Sequence, residues 1–304
     1  MPVYNSAGSL PLLVERLAGV RSRVDLEVVL VNDGSADASW ETIKSLAGRH
    51  AFVRGLRLMR NYGQHNALLA GIRAARGATI VTMDDDLQHP PEEIPKLLAA
   101  LDGGLDVVYG TPARRPHSFL RNAASGITKL VLQRGMGAET ARKVSAFRAF
   151  RADLRRAFEN YQSPFVSIDV LLTWGTRRFG AVTVEQQARA MGESQYTLRA
   201  LVTHAVTVAT GFSTLPLRLA SLMGFAFTLF GLAVLAWVVG RYVAQGGSVP
   251  GFPFLASIVA IFSGAQLFAL GIIGEYLARM HVRMMERPTY AIAETVPDGG
   301  AAGR

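Results

Sequence analysis

Residues 79–93 of the chain, TIVTMDDDLQHPPEE, place three consecutive carboxylates directly after an apolar run that contains β-branched residues. Alternate residues of an extended strand face the same side, so Asp84 and Asp86 can converge on one ion while Asp85 points elsewhere. Carboxylate oxygens at a strand end suit a hard divalent cation, and Gln88 could add a neutral oxygen. An acidic triplet taken alone is more often a solvated turn, but the context predicts a metal site.

A further carboxylate that could contact a ligand lies in the sequence VNDGS, where Asp33 is followed by Gly34. In isolation this sequence is a good turn. At a strand end in a cleft, the same carboxylate could accept a hydrogen bond from the N–H of a nucleobase. Positive charge suited to phosphate is expected from nearby arginines, whose planar guanidinium groups match phosphate geometry: Arg60, Arg114, Arg115 and Arg121.

Short apolar segments alternate with helical ones along the first part of the chain. Strands are predicted at 26–35, 54–61, 78–86 and 105–111, and helices at 38–50, 64–77 and 92–104. This order predicts an α/β domain with a mostly parallel sheet and helices on both faces. Ligands bind beyond the carboxyl ends of the strands in such sheets. The polar clusters VNDGS, MRNYGQ, MDDDLQ and YGTPARR all follow predicted strands.

The N-terminal residues Pro2–Asn5 have the character of the polar end of a first strand whose apolar body is missing. A doubly wound sheet normally has that strand at its centre. We therefore expect the start codon to lie upstream of Met1.

Composition limits the possible functions. The chain contains no cysteine, which excludes disulfides, thiolate metal sites and a cysteine nucleophile. Its formal charge of +9 would suit nucleic acid, an anionic membrane surface or phosphorylated substrates. The basic residues are scattered and form no stripe interleaved with aromatic residues, so no nucleic-acid partner is predicted.

Two long uncharged apolar stretches lie near the C-terminus, at about residues 219–240 and 253–275. Each is long enough to cross a bilayer core of about 30 Å as a helix. A buried hairpin in a soluble core is the alternative. Arginines flank the pair, whereas the loop between the stretches carries only Arg241. The positive-inside rule therefore places the N-terminal domain and the C-terminal tail in the cytoplasm.

These features divide the chain into a cytoplasmic domain at 1–195, a juxtamembrane segment at 196–216, two transmembrane helices within 217–279 and a cytoplasmic tail at 280–304. The juxtamembrane segment is apolar with sparse positive charge. It is expected to form either an interfacial amphipathic helix or an ordinary docking helix. The tail sequence ERPTYAIAE could form a strand against the domain or against a neighbouring copy, so a homo-oligomer is possible.

Six motifs in order, PVYN, VNDGS, NYGQHNALLAG, MDDDLQHPPEEIP, SAFRAF and GESQY, resemble those of family 2 glycosyltransferases with a GT-A fold. The pattern is similar to the polyprenyl-phosphate branch, and most similar to the undecaprenyl-phosphate 4-deoxy-4-formamido-L-arabinose transferases and the dolichol-phosphate mannose synthases. The resemblance covers nearly the whole chain. It implies a Rossmann-like catalytic domain in a bacterial-type cytoplasmic membrane, with a UDP- or GDP-sugar donor and a polyprenyl phosphate acceptor.

The resemblance also implies roles for individual residues. The nucleotide sugar would contact Pro2, Tyr4, Asn5, Asp33, Asp84 and Asp85. A Mg²⁺ or Mn²⁺ ion would be bound by Asp84, Asp86 and Gln88. Catalysis would use Asp84 and Asp86 together with Arg115 and Arg121, while Arg189 and Ser194 would meet the acceptor phosphate. The chain departs from the family pattern at Gln195, where lysine is usual, and at Ser6, where glutamate is usual.

The expected reaction is attack of a polyprenyl phosphate on the anomeric carbon of the donor, with inversion and loss of a nucleoside diphosphate. Two alternatives stay open. One is a membrane-anchored protein that binds sugar nucleotides as a scaffold and has lost catalysis; the other is a family 2 transferase with a different acceptor. A dinucleotide oxidoreductase is not expected, because no G-x-G-x-x-G sequence follows these strands.

Overall fold

The computed structural model describes residues 1–112, 141, 143–163, 165–187, 215–245 and 251–297. The predictions for several residues lie outside these ranges: Arg114, Arg115, Arg121, Arg189, Ser194, Gln195 and nearly all of the juxtamembrane segment 196–216. The described chain forms two compact units. One, here called the sheet unit, contains all the described strands, and the other, the helix unit, contains two long helices.

The sheet unit begins with alternating strands and helices, as the sequence predicts. They are β1 (Pro2–Val3), α1 (Leu10–Val20), β2 (Val28–Asn32), α2 (Ser39–Arg49), β3 (Val53–Leu58), α3 (Gln64–Ala74), β4 (Thr79–Thr82), α4 (Ile94–Asp102) and β5 (Val107–Pro112). It continues with β6 (Arg148–Arg151), α5 (Ile168–Gly175) and β7 (Phe179–Val184), and β8 (Ile292–Val296) joins it from the tail. Pro95 is compatible with α4 because it lies in the first turn, where no intrahelical hydrogen bond from its nitrogen is needed.

The described strands form two four-stranded sheets, ordered β1-β2-β3-β8 and β4-β6-β5-β7. Strands β1, β2 and β3 are mutually parallel, and β5 is parallel to β7. Strand β6 is antiparallel to both β4 and β5, and β8 is antiparallel to β3. The sheets are therefore mixed, since β6 and β8, which the alternating pattern does not predict, run against the others.

Helices cover both faces of the first sheet. On one face α1 and α2 pack on a core that extends to α4 and the second sheet and that includes Val3, Leu30, Val108 and Ala149. On the other face, α3 packs through Ala67 and Ala70 against residues of β2 and β3. Val28–Asn32 is entirely buried. Because both faces of this strand are covered, its sequence has no alternation of apolar and polar residues.

The helix unit consists of α6 (Leu215–Gln245) and α7 (Phe252–Met284). They contain candidate membrane spans at Leu217–Arg241 and Ile261–Met284, with mean hydropathies of 2.3 and 1.4 and no part of either apolar window buried. A core helix of a soluble protein would bury such a surface. Leu229, Leu235 and Leu267 are instead exposed. Two such helices favour membrane anchoring, because their apolar surface needs a lipid environment.

The tail forms a strand against the sheet unit. Strand β8 pairs with β3, and Trp40 of α2 donates a hydrogen bond from Nε1 to Oε2 of Glu294 (3.0 Å). Gly55 in β3 makes this packing possible, since a Cβ atom there would lie 2.7 Å from Val296 and 2.4 Å from Ile43. Of the two arrangements open to the tail from its sequence, the described chain adopts pairing with its own domain.

Candidate functional site

The acidic triplet lies in a turn that directly follows β4. The prediction that the strand continues to Asp86 is wrong, because β4 ends at Thr82. The turn is tight: Asp86 accepts a hydrogen bond at Oδ1 from the backbone N–H of Gln88 (3.1 Å), and Leu87 has a φ of 60°. A non-glycine residue in the left-handed region is strained and is held there by its surroundings. Here the turn keeps Asp84 and Asp86 at the same strand end.

The electrostatic environment of the triplet disfavours negative charge. Burial and the neighbouring Asp86 raise the pKa of Asp84, which Arg148 and a hydrogen bond from Gln64 partly counteract. Gln64 donates from Nε2 to Oδ1 of Asp84 (2.7 Å). Burial also raises the pKa of Asp85, although a hydrogen bond from Ser6 opposes this effect. A bound cation would stabilise these carboxylates in their charged form.

The donor set at this turn fits a hard divalent cation that is shared with a substrate. Asp84 and Asp86 offer carboxylate oxygens, which such cations prefer. Among the described residues, no group of three or more His, Cys, Asp or Glu side chains is arranged to hold a metal. Mg²⁺ typically takes one or two carboxylates and completes its shell with water and phosphate oxygens. An ion bound by two aspartates and a diphosphate is consistent with this site.

Gln88 anchors the turn to the end of β7. Its side-chain oxygen accepts a hydrogen bond from Nε2 of Gln186 (3.1 Å), and its backbone carbonyl accepts one from the N–H of Gln187 (2.9 Å). The amide oxygen has a second lone pair. Its role as a neutral metal ligand stays a prediction.

Asp33 joins the loops that follow β2 and β3. It is buried, and its two oxygens accept hydrogen bonds from the backbone N–H groups of Tyr62 (2.7 Å) and Gly63 (2.8 Å). Burial raises its pKa, and these two bonds act in the opposite direction. Gly34 has a φ of 68°, and a Cβ atom there would lie 2.5 Å from the nitrogen of Asn61. The position of Asp33 thus has a structural function, and the nucleobase contact stays a prediction.

The loop after β1 packs against the loop after β2. Asn5, with a φ of 53°, donates its backbone N–H to Oγ of Ser35 (3.0 Å) and accepts a bond at Oδ1 from Ala36 (2.8 Å). Tyr4 is 49% exposed, whereas Pro2 is buried in β1. Because Ser6 also lies close enough to Asp85 to influence its pKa, the loops after β1, β2 and β4 meet at one edge of the sheet unit. The structure therefore brings the predicted residues of these three loops together.

A buried ion pair lies close to the acidic turn and was not predicted from the sequence. Arg148, 2% exposed, pairs through Nη1 with Oδ1 of Asp169, and the Tyr109 hydroxyl donates to the same oxygen (2.9 Å). The register of β4 and β6 puts Arg148 opposite Thr82, two residues before Asp84. The available signal was an arginine within the apolar sequence SAFRAF, at a position where a strand buries its side chains.

His89 is a second residue near the turn that was not predicted. It is buried, and its ring is stacked on that of Phe147 with a centroid distance of 5.2 Å. Burial lowers its pKa, although Asp86 opposes this shift, so the imidazole is neutral at pH 7. Its place directly after DDDLQ was the available signal.

Replacing Asp85 by alanine is expected to preserve most of the activity of this site. Metal coordination does not require Asp85, and its buried Oδ2 has no hydrogen-bond partner within the described part of the chain. Removing that oxygen removes a desolvation cost. Rates of substrate turnover in matched Asp85→Ala and Asp84→Asn variants check this expectation. A loss as large as that of Asp84→Asn would show that Asp85 binds the nucleotide sugar directly, as the family pattern implies.

Comparisons with known proteins give consistent results. Residues 1–160 match the family model described as glycosyl transferase family 2. The chain is 35% identical to the undecaprenyl-phosphate 4-deoxy-4-formamido-L-arabinose transferase of Yersinia enterocolitica, over 97% of this chain and 92% of that protein. It is 34% identical to the transferase of the same name from Serratia proteamaculans, again over 97% of this chain and 92% of that protein.

Among solved structures, the chain resembles glucosyl-3-phosphoglycerate synthase of Mycobacterium tuberculosis. The complex of that enzyme with Mn²⁺, UDP and glucosyl-3-phosphoglycerate gives a TM-score of 0.53 at 17% identity, covering 69% of this chain and 77% of that chain. The complex with Mn²⁺, UDP-glucose and phosphoglyceric acid gives 0.52 at 17% identity, covering 69% and 76%. At this identity the likeness shows a common fold.

Proposed function

Because the chain belongs to glycosyl transferase family 2, we propose that it transfers a sugar from a nucleotide sugar to an undecaprenyl-type polyprenyl phosphate. The proposed reaction requires Mg²⁺ or Mn²⁺ and inverts the anomeric carbon. One observation carries the proposal: the turn with Asp84 and Asp86 meets the loops after β1 and β2 at one edge of the sheet unit. This is where a doubly wound fold binds ligands.

On the donor side, Asp84 and Asp86 would hold the cation. When bound, the ion stabilises negative charge on the departing diphosphate. Asn5, Asp33 and the left-handed Gly34 shape the neighbouring loops, and their mutual hydrogen bonds fix the wall that would hold the base and ribose. Such rigidity favours catalysis because little reorganisation is needed when the donor binds.

On the acceptor side, a phosphate oxygen forms a bond to the anomeric carbon while the bond from that carbon to the diphosphate oxygen breaks. The electron pair of the broken bond leaves with the nucleoside diphosphate. A phosphate monoester is largely ionised at pH 7, since its second pKa is about 6, so no general base is needed. The mechanism does not use the buried carboxylate of Asp169 as a base. That carboxylate is already paired with Arg148 and accepts a hydrogen bond from Tyr109.

The rate of transfer is therefore expected to rise with pH through about 6 and to level off above about 7. The rise reflects ionisation of the acceptor phosphate and of the acidic turn, whose members Asp84 and Asp85 have raised pKa values. Initial rates between pH 5 and 9 at saturating metal would check this. A rate that continues to rise well above pH 8 would contradict the mechanism and would indicate a group of higher pKa acting as a base.

The helix unit supports a lipid-linked acceptor. A long isoprenoid chain stays in the bilayer, and the apolar surfaces of α6 and α7 fit a protein that stays there with it. We propose that both helices cross a bacterial cytoplasmic membrane and that the sheet unit lies on the cytoplasmic side. The excess of arginine outside the hairpin supports this orientation.

The decisive experiment measures transfer of label into lipid. Membranes that contain the protein are incubated with polyprenyl phosphate, Mg²⁺ or Mn²⁺ and a panel of labelled UDP- and GDP-sugars, and lipid is then extracted. The UDP and GDP derivatives of 4-deoxy-4-formamido-L-arabinose are the first donors to test, given the names of the curated relatives. We expect label in the organic phase only with metal, and none with Asp86→Asn.

Asp153→Asn serves as the matched control, because Asp153 is an exposed aspartate that pairs with Arg156 on the surface. It should retain the rate of the unaltered protein. Donor binding without transfer under all conditions would favour the scaffold alternative. Transfer to a water-soluble acceptor instead of lipid would favour a different acceptor.

A further inference from the structure

The two glutamates that follow the acidic turn bind two different elements. Glu92 accepts a bidentate pair of hydrogen bonds from Arg16 of α1, from Nε to Oε1 (3.0 Å) and from Nη2 to Oε2 (2.7 Å). Glu93 is buried, and its Oε2 accepts bonds from Nζ of Lys96 (2.6 Å) and from the backbone N–H of Glu185 (3.4 Å). The sequence PPEE therefore fastens the chain after the acidic turn to α1 and to the end of β7.

Arg16 also reaches the end of β7. Its Nη1 donates to Oε1 of Gln187 (3.2 Å), and the backbone N–H of Gln187 donates to the carbonyl of Gln88 (2.9 Å). These contacts close a ring, here called the Arg16 ring, which runs from Gln88 along the chain to Glu92, then to Arg16, to Gln187 and back to Gln88. Two of the three residues between Gln88 and Glu92 are prolines, whose φ is fixed. That segment is stiff, so the position of Glu92 helps to fix that of Gln88.

Gln88 connects the Arg16 ring to the acidic turn. Its backbone N–H donates to Oδ1 of Asp86 (3.1 Å), and its side-chain oxygen accepts a bond from Nε2 of Gln186 (3.1 Å). Both amide contacts of Gln88 thus depend on the short segment that follows β7. Partners of this kind orient the ligands of an ion, and their loss typically costs about 10- to 100-fold in metal affinity or activity.

The pair between Arg16 and Glu92 is expected to contribute little to the stability of the fold. The two side chains are 21% and 49% exposed, and solvent screens a pair of this kind. The hydrogen bonds from Arg16 lower the pKa of Glu92, so the pair is charged at neutral pH. Its bidentate geometry sets the direction in which the two side chains meet. The pair is therefore better suited to fixing a position than to stabilising the domain.

Given the proposed function, we propose that Arg16 is a positioning residue for the metal site. From a helix that lies 76 residues before Glu92 in the chain, it holds Gln88 in place and, through Gln88, the carboxylate of Asp86. Arg16 itself touches neither the ion nor the substrate in this role. Without it, the hydrogen bond between Gln88 and Asp86 keeps the turn formed, but the position of the turn relative to β7 is less well defined.

The first test measures Mn²⁺ binding to the whole protein in detergent, from the electron paramagnetic resonance of the free ion with UDP or GDP present. Arg16→Met and Glu92→Gln are each expected to weaken Mn²⁺ binding about 10-fold, with little change in melting temperature. Arg54→Met is the matched control, because Arg54 pairs with Glu27 (3.2 Å) near the starts of β2 and β3, at the ends remote from the acidic turn. It should bind Mn²⁺ as the unaltered protein does.

The second test needs no metal. Amide hydrogen exchange in EDTA is expected to be faster in Arg16→Met than in the unaltered protein at residues 86–93 and 183–187. These segments contain the parts of the Arg16 ring that Arg16 holds together. Arg54→Met should leave exchange in both segments unchanged.

A double variant tests whether the pair itself matters. Arg16→Glu combined with Glu92→Arg keeps an ion pair between the same two positions. The amide of Gln187 has both donors and an acceptor, so it can turn to bond with either charge. The double variant should recover most of the Mn²⁺ affinity that Arg16→Met loses.

The outcomes separate the role of Arg16 from the proposed function. Unchanged Mn²⁺ binding and hydrogen exchange in Arg16→Met would overturn the positioning role, and loss of Mn²⁺ binding in Asp86→Asn would still support the proposed function. Equal losses in Arg16→Met and Arg54→Met would show a general effect on the fold and would also overturn the positioning role. Mn²⁺ binding that depends on neither Asp84 nor Asp86 would contradict the proposed function and, with it, the role of Arg16.

Discussion

Replacing Asp84 by asparagine is expected to lower the rate of sugar transfer about 100-fold or more and to raise the melting temperature of the metal-free protein. The loss of rate follows from the proposed role of Asp84, since removing one group that stabilises transition-state charge typically costs about 10²- to 10³-fold. The same carboxylate is unfavourable for folding, because burial and Asp86 raise its pKa.

The sign of the stability effect follows from that raised pKa. The folded protein holds the proton of Asp84 more tightly than the unfolded chain does, so ionisation of Asp84 favours unfolding. Stability of the metal-free protein should therefore fall as pH rises through the pKa of folded Asp84. Asparagine removes the charge and keeps an oxygen that can accept the hydrogen bond from Gln64. Thermal melts in EDTA at pH 7 would show a gain of a few degrees.

Asp106→Asn is the matched control, because this carboxylate has the opposite environment. Burial opposes its charge, but hydrogen bonds from Arg178 and Thr176 outweigh that effect and lower the pKa of Asp106. Its contribution to stability is present above the unfolded pKa and is lost as pH falls through the folded pKa. The variant should melt at a lower temperature and transfer sugar normally while folded. Full activity of Asp84→Asn would contradict its proposed role.

Breaking the buried pair between Arg148 and Asp169 is expected to lower the free energy of unfolding by about 3–5 kcal/mol. In Asp169→Asn the guanidinium loses its counter-charge while it remains buried, and the Tyr109 hydroxyl loses a charged acceptor. Arg148→Met leaves the carboxylate of Asp169 uncompensated instead. Chemical denaturation of the whole protein in detergent, followed by the fluorescence of its tryptophans, measures the loss.

The exposed pair between Arg156 and Asp153 is the control for this prediction. Both side chains are more than four-fifths exposed, so Asp153→Asn should cost no more than about 1 kcal/mol. Combining Arg148→Met with Asp169→Leu should recover part of the stability, because neither buried charge then lacks a partner. Equal losses in the buried and exposed single variants would contradict a structural role for the buried pair.

The sequence predicts the order of the first five strands. It also predicts the strand ends at which polar residues gather. Each of these elements buries an apolar face within a short segment, so a local pattern contains the information. The prediction overextends β4, where a strand was expected to reach Asp86. Local turn chemistry decides that end, since Asp86 bonds to the N–H of Gln88 and Leu87 adopts a left-handed conformation.

The residues that surround the acidic turn could not be predicted in the same way. Arg148 meets an aspartate 21 residues along the chain, and that aspartate meets a tyrosine 60 residues away. The side-chain pattern of one segment carries no information on such pairings. Asp33 shows a different limit of prediction from sequence. A carboxylate in a turn can accept hydrogen bonds from a ligand or from the backbone N–H groups of the next loop, and the sequence does not distinguish the two. The structure shows the second contact at Tyr62 and Gly63.

The pairing of β8 with β3 has a consequence for membrane topology. The chain leaves the sheet unit, passes through α6 and α7, and returns to a sheet that also contains β2. Both ends of the helical hairpin must therefore lie in the same compartment, which requires an even number of bilayer crossings. Reporter tags placed before α6 and after β8 should always have equal accessibility. A topology in which one of the two helices crosses the bilayer and the other does not is incompatible with this strand.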